Sequence, residues 1–241
     1  MGETRVSDYL EFLRDLTGRG LDYFLEGGQA VNFWAEFYDE RAGGESLKNF
    51  APFTSKDCDI WAGYALVQYL RERNELGRLI TSRSPADGQV AIFKLSGDPE
   101  RVVDILSNVF GIPAHQLDRT RERSLRLGQI RVLDPLFLLQ SKCCCLVGLD
   151  QAGRQDGRHV RMLCHIVPAH FSELLAQTTA GQLTERALIK ELKVLQQILK
   201  LQQVKRALES VGVAPASLLP VDPLRSCGLP KVEAFATRSL G

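Results

Sequence analysis

Short apolar runs alternate with stretches of helical spacing along the first half of the chain. Leu10, Leu13 and Leu16 share one helical face, with Ser7 as the expected cap and Gly18 as the stop. Residues 21–26 (Leu-Asp-Tyr-Phe-Leu-Glu) read as a short buried strand. Gly27-Gly28 then turns into a second helix, where Ala30, Val31, Phe33, Trp34, Phe37 and Tyr38 make a wide apolar face. A loop is expected over residues 39–54, around Gly43-Gly44. A strand over 57–61 follows, then a helix over about 64–76. Residues 89–95 and 101–109 predict an antiparallel pair around the turn at 96–99, and 124–133 alternate around Gly128-Gln129 as a hairpin or as edge strands.

The second half reads as helices. Asp134 as N-cap and Pro135 at the first helical position start one that runs to about residue 149. A polar loop over 150–156 leads to a helix over 159–167, ended by Pro168, and to a short helix over 170–177. From 184 to 211 an apolar line runs through Leu188, Leu192, Leu195, Leu199, Leu208 and Val211. Four prolines and no periodicity mark 213–241 as an irregular tail. The expected class is α+β: a small mixed sheet flanked by helices in a catalytic domain over 1–133, a helical C-terminal domain over 134–212, and the tail.

Composition narrows the function classes. With 44% apolar and 24% charged residues in 241, the chain is ordinary for a globular protein. A net charge of +1 argues against a strongly electrostatic nucleic-acid binder, leaving room for a local basic patch. No apolar stretch approaches the roughly 20 residues that span a bilayer, and the N-terminus has no hydrophobic signal region. The expectation is a cytoplasmic protein without membrane contact. Of six cysteines, Cys143, Cys144 and Cys145 are adjacent, a spacing that suits neither disulfides nor zinc. They read as small apolar residues in a reducing compartment.

The candidate chemistry lies in three places. Gly27-Gly28 sits between a strand and a helix, where backbone N–H groups and the helix dipole favour phosphate; the same pair also serves as a plain turn. Asp57 and Asp59 are two apart in a strand and therefore share a face. Asp104 interrupts Val102-Val103 and Ile105-Leu106, so it must meet solvent, a partner or a metal. Like charges on one face repel, and a divalent cation relieves that repulsion. Magnesium binds carboxylate and phosphate oxygens together, and paired ions run in-line phosphoryl displacement.

Leu-Glu-Gly-Gly-Gln-Ala at 25–30, Ser-Lys-Asp-Cys-Asp-Ile at 55–60 and Val-Val-Asp-Ile-Leu at 102–106, in that order, resemble the polymerase-β-type nucleotidyltransferase superfamily. Leu-Asp-Pro-Leu at 133–136, Gln-Ser-Lys at 140–142 and Gln-Asp at 155–156 are similar to its abortive-infection, AbiEii-like toxin branch. The resemblance implies a nucleotidyltransferase fold and an enzyme that uses a nucleoside triphosphate. Asp57, Asp59 and Asp104 would hold two magnesium ions, with Asp104 also as general base. Gly27, Gly28, Lys56 and Lys142 would bind the triphosphate, and Asp156 would orient Lys142 or the acceptor. It further implies an RNA or tRNA acceptor, a toxin–antitoxin or phage-defence role and a cognate antitoxin. A small-molecule acceptor such as an antibiotic, or a catalytically silent nucleotide-binding module, are the alternatives. Two departures stand out: an insertion around 39–53, and Gln155 and His159 where the branch has lysine and a second aspartate.

Other polar groups carry less. His159, His165 and His170 lack an acid or cysteine at ligand spacing and read as surface or core histidines. Arg119, Arg121, Arg123, Arg126 and Arg131 fit either a solvated edge or a groove for an RNA backbone. The 184–211 helix either packs on its own domain or docks a partner.

Overall fold

The computed structural model describes residues 3–39, 45–82, 88–97, 99–127 and 129–239, without the side chains of 45, 46 and 126. Its elements, in chain order, are α1 (Leu10–Gly18), β1 (Tyr23–Glu26), α2 (Gly27–Asp39), α3 (Glu45–Lys48), β2 (Cys58–Ala62), α4 (Tyr64–Arg71), β3 (Gly77–Thr81), β4 (Gln89–Leu95) and β5 (Arg101–Leu106). There follow α5 (Leu117–Glu122), β6 (Leu125–Leu127), β7 (Ile130–Val132), α6 (Pro135–Gly148), α7 (Asp156–Thr179), α8 (Glu185–Lys200), α9 (Gln202–Ser210), α10 (Val221–Arg225) and α11 (Pro230–Ser239). The class is α+β. Seven strands form one mixed sheet in the order β3-β4-β5-β2-β1-β7-β6, flanked by helices.

The sheet's register positions the chemistry. β1 and β2 run antiparallel with Glu26 opposite Asp59, and β2 and β5 run parallel with Asp59 opposite Asp104. Neighbouring residues in register share a face, so one row of carboxylates crosses three strands. The rest of these strands is core: Phe24, Leu25, Ile60, Val103 and Ile105 are fully buried.

The helix at Asp134 forms as the caps predict. The Asp134 carboxylate accepts from the Leu136 and Phe137 N–H groups at 2.9 and 3.2 Å. Every residue of α6 from Pro135 to Cys145 is buried, Lys142 included. A helix apolar on all sides is a central one, and α7, α9 and α2 pack around it. Cys143, Cys144 and Cys145 are core residues, and burial pushes the Cys143 and Cys164 thiols above their ordinary range.

Several expectations need correction. Pro168 does not end a helix: α7 continues through it to Thr179. Ile166, Val167, His170 and Phe171 on either side of the proline are all buried, and that packing outweighs one missing backbone bond. The 184–211 helix is broken at Leu201, whose ψ of 133° is extended, so that α9 turns to bury Val204, Ala207 and Leu208, packing on α6. The tail over 213–241 is largely helical. Its Leu218, Leu224, Val232 and Ala236 are fully buried, with α11 against α8. Three elements, α3, β3 and α5, were not expected. The glycines at 43, 44 and 128 and Asp98, on which turns were expected, lie outside the described residues. No described helix is long and apolar enough to cross a membrane.

Candidate active site

The carboxylates of Asp57, Asp59 and Asp104 each present an oxygen within 4.8 Å of the others. Asp57 precedes β2 by one residue and keeps the face of Asp59, while the parallel register brings Asp104 alongside. Burial, with the neighbouring charges of Asp57 and Asp104, pushes the Asp59 carboxyl up to about 7, against the pull of Lys142. Oxygen ligands at about 2.4 Å from a calcium-sized cation lie at most about 4.8 Å apart, the spread of this set, and magnesium at about 2.1 Å needs them drawn within about 4.2 Å. The set's all-oxygen donors suit a hard cation.

Opposite the acids stands a wall of cations. Lys142 of α6 donates to Asp156 Oδ1 at 3.1 Å, and Arg154 donates to Asp156 Oδ2 at 2.6 Å. Burial works against both charges of the Lys142–Asp156 pair and is outweighed by their surroundings. The Lys142 ammonium stands above its usual range beside Cys145, Asp156 and Asp59, and Lys142 and Arg154 hold the Asp156 carboxyl below its own. Lys56 reaches over the loop to donate to the Gly153 carbonyl at 3.2 Å. α2 starts at Gly27 and α7 at Asp156, so two helix N-termini converge here and favour an anion.

These groups enclose a half-open cavity of about 240 Å³ lined by Gly28, Lys56, the three aspartates, Lys142, Arg154, Asp156 and His159, among others. Thus seven of the eight residues singled out in the sequence meet around one space. The eighth, Gly27, plays a different part. It adopts φ +65°, and a Cβ there would lie 1.8 Å from Asp59 Oδ2. Gly27 is glycine to admit the Asp59 carboxylate, a close approach to its own chain.

No protein-family model matches this chain, and no curated protein matches it in sequence. Among solved structures it is similar to the Megavirus polyadenylate synthase, at 14% identity and a TM-score of 0.42 over 72% of this chain and 36% of that one. It is also similar to an antigenic nucleotidyltransferase-like protein from Paracoccidioides brasiliensis, at 12% identity and a TM-score of 0.41 over 68% of this chain and 79% of that one. The chain therefore spans about a third of the viral protein. At this level of likeness the reading of the site rests on its own geometry.

Three residues of the site escaped the sequence reading. Glu26 is buried beside Asp59; burial first, then the Asp59 charge, holds its carboxyl well above the usual carboxylate range. Its position ending a buried strand before two glycines was the available signal. Arg154 lies in a polar loop with no periodic cue. His159 is a core histidine, as read, but its ring faces the cavity rather than the apolar interior.

Arg121, Arg123 and Arg131 do not reach this site. Arg131 and Arg121 pair with Asp22 at 2.7 and 3.2 Å, at the end of β1 opposite Glu26. Arg123 donates to Asp134 and Glu191, both at 3.0 Å. Those three arginines pair with acids of the fold and form no groove beside the three aspartates.

Proposed function

We propose that this chain is a metal-dependent nucleotidyltransferase, moving a nucleoside monophosphate from a nucleoside triphosphate to a hydroxyl and releasing pyrophosphate. One observation carries the reading: three converging carboxylates face a buried lysine and two helix N-termini across one small cavity. An acid wall suits cations and a basic wall suits phosphates, and a metal-bound triphosphate presents both.

Asp57, Asp59 and Asp104 hold the cation, two magnesium ions in the full reading. Bound there, magnesium lowers the pKa of the acceptor hydroxyl and offsets charge on the phosphates. Asp104 takes the proton of the acceptor hydroxyl as general base. The hydroxyl oxygen then attacks the α-phosphorus, and the bond to the bridging oxygen of pyrophosphate breaks. Lys142, fixed by Asp156, and the α2 N-terminus at Gly28 stabilise charge on the departing phosphates. Lys56 and Arg154 border the mouth and bind the outer phosphates. The resemblance of the motifs to the AbiEii-like branch supports an RNA acceptor such as tRNA, in a toxin–antitoxin or phage-defence setting with an antitoxin as partner.

The test incubates the full chain with each α-labelled triphosphate, magnesium and total RNA, beside Asp57→Ala/Asp59→Ala. Label on RNA in the wild type alone supports the whole reading. Label on a small acceptor instead removes the RNA part. Neither transfer nor magnesium-dependent triphosphate binding would sink the enzymatic reading.

A further inference from the structure

His159 is a polar side chain in the cavity with no part in that reaction scheme. His159 stands in the first turn of α7 and is 4% exposed, yet neither ring nitrogen has a hydrogen-bond partner among the described residues. Buried polar atoms nearly always find partners, so two orphaned nitrogens on a ring that lines a cavity point to a ligand arriving from outside.

The surroundings select the class of that ligand. A Cβ at Gly28 would lie 3.0 Å from His159 Cε1 and 2.8 Å from Ser55 Oγ, so the imidazole fills the gap between the first turns of α7 and α2. It therefore sits where both helix dipoles present their positive ends. Lys142, Arg154 and Arg158 are its charged neighbours, with Asp156 already taken by Lys142 and Arg154. His159 is not among the groups whose ligand atoms converge on the candidate cation site. An anion, not a metal, belongs here. Burial, then Lys142, holds the imidazole down to about 3, so the ring is neutral and one nitrogen carries a proton to donate.

Resting on the nucleotidyl-transfer reading, we infer that His159 is a triphosphate-binding residue whose imidazole N–H donates to a non-bridging phosphate oxygen. It supplies a donor of fixed direction in a place where a further cation would face Lys142 and Arg154. No bond is made or broken by the ring.

The test uses the full chain labelled with 15N-histidine, with magnesium, titrated with inorganic tripolyphosphate. Its four histidines give few enough resonances to follow one by one. The expected result is a saturable shift of the His159 ring nitrogens, with His165 and His170 still. By calorimetry, His159→Phe should bind about tenfold more weakly, the loss of one hydrogen bond to a charged group, and His159→Gln should recover most of that affinity. Tripolyphosphate binding that leaves the His159 resonances unmoved and the His159→Phe affinity intact would overturn this inference while leaving the transferase reading in place. If His159→Phe does not fold, the wild-type resonances alone decide. Absence of any magnesium-dependent binding in the wild type overturns both readings together.

Discussion

Strand β1 separates two charge clusters that look alike in the sequence and differ in kind. At one end, Arg121 and Arg131 meet Asp22 at 3.2 and 2.7 Å, and past the end of β7 Arg123 meets Asp134 at 3.0 Å. At the other end, Asp57, Asp59 and Asp104 meet one another within 4.8 Å. The first cluster is compensated from within and serves stability. The second holds like charges together, raising the Asp59 carboxyl to about 7, an arrangement that a bound cation would relieve. Local charge density therefore does not identify a site. What identifies it is like charges brought together on one face beside a cavity.

The strongest way to break this comparison is Asp57→Asn/Asp59→Asn. Transfer should fall by at least about a thousandfold, while the metal-free protein melts no lower than the wild type because repulsion is relieved. Magnesium should raise the wild-type melting temperature and leave that of the variant unchanged. A variant that keeps its activity, or loses it only by unfolding, would erase the distinction between the clusters.

Arg123→Ala attacks the other cluster and should do the reverse. It leaves the carboxylates of Asp134 and Glu191 without their partner, at a cost of about 3–4 kcal/mol in denaturant unfolding. Tripolyphosphate affinity of the folded fraction should stay at the wild-type value.

His170 offers a pH test of the same neighbourhood. Its Nδ1 lies 3.0 Å from the Tyr38 hydroxyl, which also donates to Glu173 at 2.9 Å, and Glu191 and Arg123 are its other charged neighbours. Burial lowers it from 6.5 to about 4, so between those pH values the unfolded chain binds the extra proton. Stability is then unaffected above pH 6.5 and falls as pH drops towards 4, by up to about 3 kcal/mol. In His170→Phe, urea titrations across pH 7 to 4 should lose that part of the slope. An unchanged slope would count against the assignment.

The smallest effect belongs to Asp22→Asn. Its pairs with Arg121 and Arg131 are half exposed, and losing them should shift unfolding by less than about 1 kcal/mol. A larger loss would mean that this end of β1 contributes more than a solvated ion pair.

The alternation of β2 and β5, the Gly27-Gly28 turn and the Asp134-Pro135 start were legible because each depends on neighbours in sequence. So was the sharing of a face by Asp57 and Asp59, which follows from a period of two. The break at Leu201 was not legible, since the residue has no unusual preference and bends because α9 finds its burial on α6. Helix α7 runs through Pro168 for the same kind of reason, and the buried side chains of the tail find their places against α7 and α8.

The sequence by itself determined which residue types are available: three acids in strand-like runs, a lysine on a helix with a clear start, and two glycines between strand and helix. Tertiary structure decided what each of them faces. The register of β2 against β5 set Asp59 beside Asp104, the approach of Asp59 defined the need for Gly27, and α7 brought Asp156 to Lys142 and His159 into the cavity. Side-chain periodicity is local and can be counted along the chain. Distance, burial and the answering of one charge by another depend on partners far away in sequence, and only packing sets them.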